Sequence, residues 1–150
     1  LKWTISDFDI YQQSKEYVDT AVIPLIPVCL DTDFKTTVSK GEYITHVTIE
    51  LERQLKGRVY LFPSISYLKN SINVIENLIE WKTNIQQEFK HVIFLTSDES
   101  LKESNSELLK GNLVWLPTVP FEHMDENLKK KLMQDQVEQI LNILLQSWNK

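Results

Sequence analysis

Four short apolar runs, each separated from the next by a stretch long enough to hold a helix, constrain this chain more than any other feature. Residues 21–28, 58–62, 91–95 and 112–116 are dense in Val, Ile, Leu and aromatic side chains and read as buried strands. Gly57 and Gly111 stand just before two of them and read as helix C-caps, while Pro63 and Pro117 follow them. Pro24 and Pro27 lie inside the first run, where they remove two ladder donors and weaken pairing on one side.

The intervening stretches carry helical periodicity. Over residues 39–56 the positions Tyr43, Ile44, Val47, Leu51 and Leu55 recur at steps of three and four, and residues 71–89 repeat the pattern with Asn70 or Ser71 as N-cap. A final helix capped by Asp125 carries the stripe Met133, Val137, Ile140, Leu141, Leu144 and Trp148, and Leu141 is expected in the core. Thr4 and Asp7 resemble a capping box for a first helix running through Tyr17, packed by Phe8 and Tyr11. A short helix over 102–110 is expected, with 96–106 as a polar loop. A hairpin cannot house an intervening helix, so the strands are expected to be parallel neighbours joined by crossovers. The fold class is α/β: one three-layer domain over residues 1–150, a mostly parallel sheet of about four strands with helices on both faces.

Charge and composition narrow the function. Sixteen Lys and Arg against 21 Asp and Glu give a net charge of −5, and no basic run exceeds Lys129-Lys130-Lys131, which disfavours nucleic acid as a partner. No apolar run approaches the ~20 residues of a membrane span, and no basic-then-apolar leader opens the chain, so no membrane insertion is expected. Cys29 is the single cysteine, which fits a reducing compartment, with the cytoplasm as the default.

In an open parallel sheet, ligands sit outside the carboxyl ends of the strands, here residues 30–38, 63–70, 96–104 and 117–124. None contains glycine, so neither a dinucleotide fingerprint nor a phosphate loop is present, and no cofactor is expected. The polar residues in these loops form a candidate ligand cleft: Asp31, Asp33, Ser64, Ser66, Tyr67, Ser97 and Asp98. Asp31-Thr32-Asp33 after the first strand is similar to the aspartate pair of haloacid-dehalogenase-like phosphatases, but Lys35 stands where that family has Thr or Val. Turn formation is the expected role of the two aspartates. Cys29 extends a strand and is expected in the core, and His46, His91 and His123 lack the spacing of a zinc site. The four tryptophans are expected as core or interface anchors. Leu145 and Trp148 either complete the core or extend the last stripe into a homodimer contact.

Two resemblances add to this. The opening Lys2-Trp3, the stretch from Glu16 to Pro27 and the run from Gly57 to Pro63 resemble the YpiF-like family of uncharacterised proteins from Gram-positive bacteria. That likeness implies a bacterial cytosolic origin and carries no catalytic residue. The strand pattern alone, apolar-Pro-apolar in the first strand and apolar-Pro closing the second, is similar to the creatininase-like amidohydrolases. Their metal ligands have no counterpart here, since the matching segments read Val28-Cys29-Leu30-Asp31 and Thr96-Ser97-Asp98-Glu99. The leading expectation is a non-enzymatic domain that binds a protein partner or small molecule at the carboxyl edge of its sheet, without catalytic or metal-binding residues. The alternative is a divalent-metal hydrolase using Asp31, Asp33 and Asp98.

Overall fold

A parallel sheet forms the middle layer, and its central strand is β1 (Thr20–Val28), an apolar, β-branched run largely buried from both sides. The computed structural model describes residues 1–104 and 107–149. On one side of β1 lie β2 (Val59–Leu61) and β3 (Ile65–Leu68); on the other lie β4 (His91–Thr96) and then β5 (Leu113–Trp115), every pairing being parallel.

The two prolines of β1 sit where the ladder has no use for their missing N–H groups. Thr20 N donates to the Arg58 carbonyl, while Phe62 N and Lys69 N donate to the carbonyls of Val22 and Val28, so even-numbered residues of β1 bond toward β2 and β3. Pro24 therefore faces the gap between those two segments. Odd-numbered residues bond toward β4, whose His91 N donates to Asp19 O, and Pro27 lies beyond the last position paired with β4, Pro24 opposite Leu95.

That gap is a bulge. Three steps along β1, from Val22 to Leu25, face four along its neighbour, from Leu61 to Ile65. The extra residue reverses the alternation, so Tyr60 and Phe62 before it and Ile65 and Tyr67 after it face the same layer. The sheet is thus four positions wide but holds five strand segments, and residues 63–70, expected as a loop, contain β3.

Helices cover both faces, as expected. Helices α1 (Ile5–Gln13), α3 (Val74–Ile85) and α4 (Glu99–Glu103), with the 3-10 turn Glu107–Leu109, pack on one face through Tyr11, Leu78, Ile85, Leu101 and Leu109. Helices α2 (Phe34–Gln54) and α5 (Glu126–Trp148) close the other through Tyr43, Ile44, Val47, Leu51, Val137, Ile140 and Leu144.

Several boundaries differ from expectation for local reasons. Thr4 caps α1 by accepting from Asp7 N (3.2 Å), but the Asp7 carboxylate accepts from Lys2 N (2.6 Å) instead of closing a full capping box. The helix stops at Gln13, where Ser14 turns its hydroxyl back to Ile10 O (2.7 Å). Helix α2 starts five residues earlier than its stripe suggests, because Asp31 O accepts from Phe34 N and forms the turn that launches it. Asn73, not Asn70 or Ser71, precedes α3, and Ile72 is 93% exposed. The expected helix over 102–110 is divided between α4 and the 3-10 turn, and residues 105–106 of that stretch lie outside the described residues. Gly111 adopts the left-handed conformation of a C-cap (φ +85°), whereas Gly57 does not.

Asp125 caps α5 by accepting from Leu128 N (2.8 Å), a device worth about 1 kcal/mol. Leu141 is only half-buried, because Val137, Ile140 and Leu144 are the residues turned to the sheet. Trp148 is fastened to the amino end of the sheet: its Nε1 donates to Thr20 Oγ1 (2.8 Å) and Arg58 lies 3.8 Å over its ring. No helix among the described residues is long and apolar enough to cross a membrane.

Candidate functional site

From β1 the chain passes through α2 to β2 on one side, then crosses through α3 to β4 and on to β5 at the other. Connections leaving in opposite directions open a crevice outside the carboxyl ends of the strands where they diverge, here β1 and β4. The segments at that point are residues 29–33 and 97–98, with β3 beside them.

The first segment is a self-satisfied turn. Cys29 is buried, and its Sγ donates to Asp31 Oδ1 (3.0 Å), which also accepts from Asp33 N (3.1 Å). The bond to Asp31 pushes the Cys29 thiol above its ordinary pKa, and the same bond holds the Asp31 carboxyl below the usual range. The thiol is therefore a protonated donor, the opposite of what a nucleophile or thiolate ligand requires. Lys69 Nζ stands 3.5 Å from Asp33 Oδ2 as its counter-charge.

The second segment centres on a fully buried carboxylate. Asp98 Oδ1 accepts from Ser100 N (3.0 Å) and Ser100 Oγ (2.7 Å), capping α4, while Oδ2 accepts from Tyr67 OH (2.5 Å). Thr96 Oγ1 accepts from Asp98 N (3.0 Å). Burial, reinforced by the Asp98 carboxylate, pushes the Tyr67 phenol far above its ordinary value. Three donors on one carboxylate make this a structural knot tying β3 to the start of α4. Ser97 Oγ is buried beside it without a hydrogen-bond partner among the described residues.

The candidate residues are thus divided. Ser64 and Ser66 line a cleft of about 390 Å³ with Ile26, Cys29 and Gly41, rimmed by Leu30, Phe34 and Val38. A second cleft of about 610 Å³ lies between β3 and α3, where Ser64, Ser66 and Tyr67 meet Asn77 and Trp81. Asp31, Asp33, Ser97 and Asp98 line neither of these two clefts. Among the described residues, the ligand atoms of Cys29, Asp31 and Asp33 lie within 4.8 Å of one another, and Asp98 does not join them.

The histidines are scattered. His46 is exposed with its ring 5.9 Å from Phe121, and His123 occupies a turn at φ +67°. His91 sits at the opposite, amino edge, 3.9 Å from Asp19 and 3.4 Å from Ser147 Oγ, and burial lowers its pKa against the opposing pull of Asp19.

Sequence reasoning passed over the rim residues Leu30, Phe34 and Val38. Their signal was present: apolar residues at steps of four continue the period of α2 backward, but onto a side the helix does not bury.

A three-layer α/β protein with an open, parallel, switch-point sheet is the class these features define. The chain belongs to the family of proteins of unknown function designated DUF2487, which matches residues 9–148. It is 40% identical over 149 residues to the uncharacterized protein YpiF of Bacillus subtilis, covering 99% of each chain. It is also 28% identical over 120 residues to the endoribonuclease YbeY of Mesomycoplasma hyopneumoniae, covering 72% of this chain and 79% of that one. No solved structure matches.

Proposed function

We propose that this protein is a non-catalytic binding domain whose carboxyl-edge cleft receives an apolar side chain of a protein partner. One observation carries the reading: Leu30, Phe34 and Val38, at 70%, 50% and 54% exposure, surround a single cleft between the carboxyl end of β1, the start of α2 and residues 64–66. Apolar side chains gathered around a concavity cost solvation unless a partner covers them. The Cys29 thiol beside them is already engaged by Asp31 and offers no free donor to orient a small substrate. Site-specific photocrosslinking in Bacillus subtilis, the organism of the 40%-identical relative, tests this. A benzophenone side chain replacing Phe34 is expected to give a discrete adduct that Val38→Lys abolishes. The same group replacing Ile49, about 22 Å further along α2, is expected to give none. No adduct from position 34, or identical adducts from both positions, would overturn the reading.

The alternative is a divalent-metal hydrolase, and the proximity of Cys29, Asp31 and Asp33 favours it. It requires the Cys29 proton to leave and Lys69 to give way to an ion. A rise in melting temperature with Mg²⁺, Mn²⁺ or Zn²⁺ that Asp31→Asn removes would support it. So would turnover of phosphomonoesters, small amides or RNA that the same substitution abolishes. RNA enters this screen because of the endoribonuclease relative.

A further inference from the structure

On the face opposite α2 and α5, the N-terminal helix α1, strand β2 and helix α3 enclose a slot of about 590 Å³, within the size range of small-ligand pockets. Its floor is a mutual cluster of Tyr11, Tyr60, Phe62 and Phe89, whose neighbouring rings meet at centroid distances of 5.4 to 6.1 Å. Its walls are Trp3 and Trp81, 58% and 47% exposed. Glu88 is the one charged side chain in the lining.

Ring faces carry the negative part of the aromatic quadrupole, so a container of rings with a carboxylate at its mouth favours a cation having an apolar body. Two further observations agree. The ammonium of Lys15 already rests at this rim, 3.4 Å from Glu88 Oε1 and 5.7 Å from the Tyr11 ring centroid. The other two tryptophans each carry a cation of this chain, Lys102 over Trp115 at 4.0 Å and Arg58 over Trp148 at 3.8 Å. Among the described residues, Trp3 and Trp81 carry none.

We propose that the aromatic slot binds a small organic cation, an alkylated ammonium, which displaces Lys15 from Glu88. The site is separate from the carboxyl-edge cleft, so the two readings stand or fall independently. The ammonium enters among the rings, and the Glu88 carboxylate, released from Lys15 but still accepting from Tyr11 OH, becomes its counter-charge.

The test is a titration of the purified chain with choline and with 3,3-dimethylbutan-1-ol, its neutral carbon isostere, followed by the four indole N–H resonances. Choline is expected to shift the Trp3 and Trp81 signals saturably, leaving Trp115 and Trp148 in place, and to bind about five-fold or more tightly than the isostere. Glu88→Gln should weaken choline binding by a similar factor, while Lys15→Ala, a change at a half-exposed residue, should tighten it. Equal affinity for the isostere, no saturable shift, shifts at all four indoles, or unchanged affinity in Lys15→Ala would each overturn the proposal.

Discussion

The two faces of the sheet are closed by different means. On the α2 and α5 side, two helices of more than twenty residues bring branched aliphatic side chains onto Val22, Ile93 and Leu95, and Ile44, Val47, Leu51, Ile140 and Leu144 are wholly excluded from water. On the other side the first helix has nine residues, and beneath it the contacts are large rings, most of them meeting edge to face. The two long helices cover the aliphatic layer along their length, whereas the nine-residue α1 leaves the ground between itself and α3 uncovered above the packed rings. The aliphatic face is therefore a closed core and the aromatic face an open slot. Away from the carboxyl-edge cleft, stability is expected to reside in the first and small-ligand binding in the second.

The sharpest way to break this comparison is to truncate the aliphatic face. Leu144→Ala is expected to cost about 2–5 kcal/mol in denaturant unfolding, and the half-buried Leu141→Ala less than about 1 kcal/mol. Equal losses would mean that α5 is rotated from the orientation described. A smaller effect should come from Gly41, where a Cβ would stand 2.9 Å from Ile26 Cγ2. That methyl sits on a stiff β-branched side chain, so overpacking of about 1–3 kcal/mol outweighs a helix-propensity gain of about 1 kcal/mol. Gly41→Ala should lose stability, and lose less in an Ile26→Ala background, a double-mutant cycle that isolates the contact. On the open face, Trp81→Ala is expected to change stability by about 1 kcal/mol or less; a core-sized loss would show that the slot is part of the core.

The smallest expected effect is a pH dependence at the amino edge, where His91 and Ser147 join the end of α5 to the sheet. Burial holds His91 below its ordinary pKa of 6.5, with Asp19 raising it and Lys90 and Arg58 lowering it. As pH falls, the unfolded chain takes up this proton first. The contribution is thus fully present above about pH 6.5 and is lost as pH falls toward the folded value. His91→Gln should flatten that part of the stability profile, and an unchanged slope below pH 6.5 would assign it to other groups.

Much of the fold was legible because it is written in short-range pattern. The four apolar runs announce β1, β2, β4 and β5, and Thr4 and Asp125 announce the starts of α1 and α5, since strand alternation, helical period and capping all act within a few residues. The bulge was not legible. It depends on Pro24 lacking a donor on the side that faces β2 and β3, a side set only by the register of three strands. Asp98, Tyr67, Asp31 and Ser66 were recognisable as polar residues at strand ends, but the faces taken by Tyr67 and Ser66 follow from the same register shift.

By itself, then, the sequence determined the kind and order of elements and the parallel sense of the sheet, because those follow from local periodicity and from helices too long for hairpins. Tertiary structure alone decided which side chains meet. It placed Tyr67 on Asp98 across 31 residues and Trp148 on Thr20 across 128, and it gathered distant rings into one slot. The physical reason is that such contacts depend on hydrogen-bond register and on which face each helix buries. Both are settled by complementarity between elements that no single stretch of chain contains.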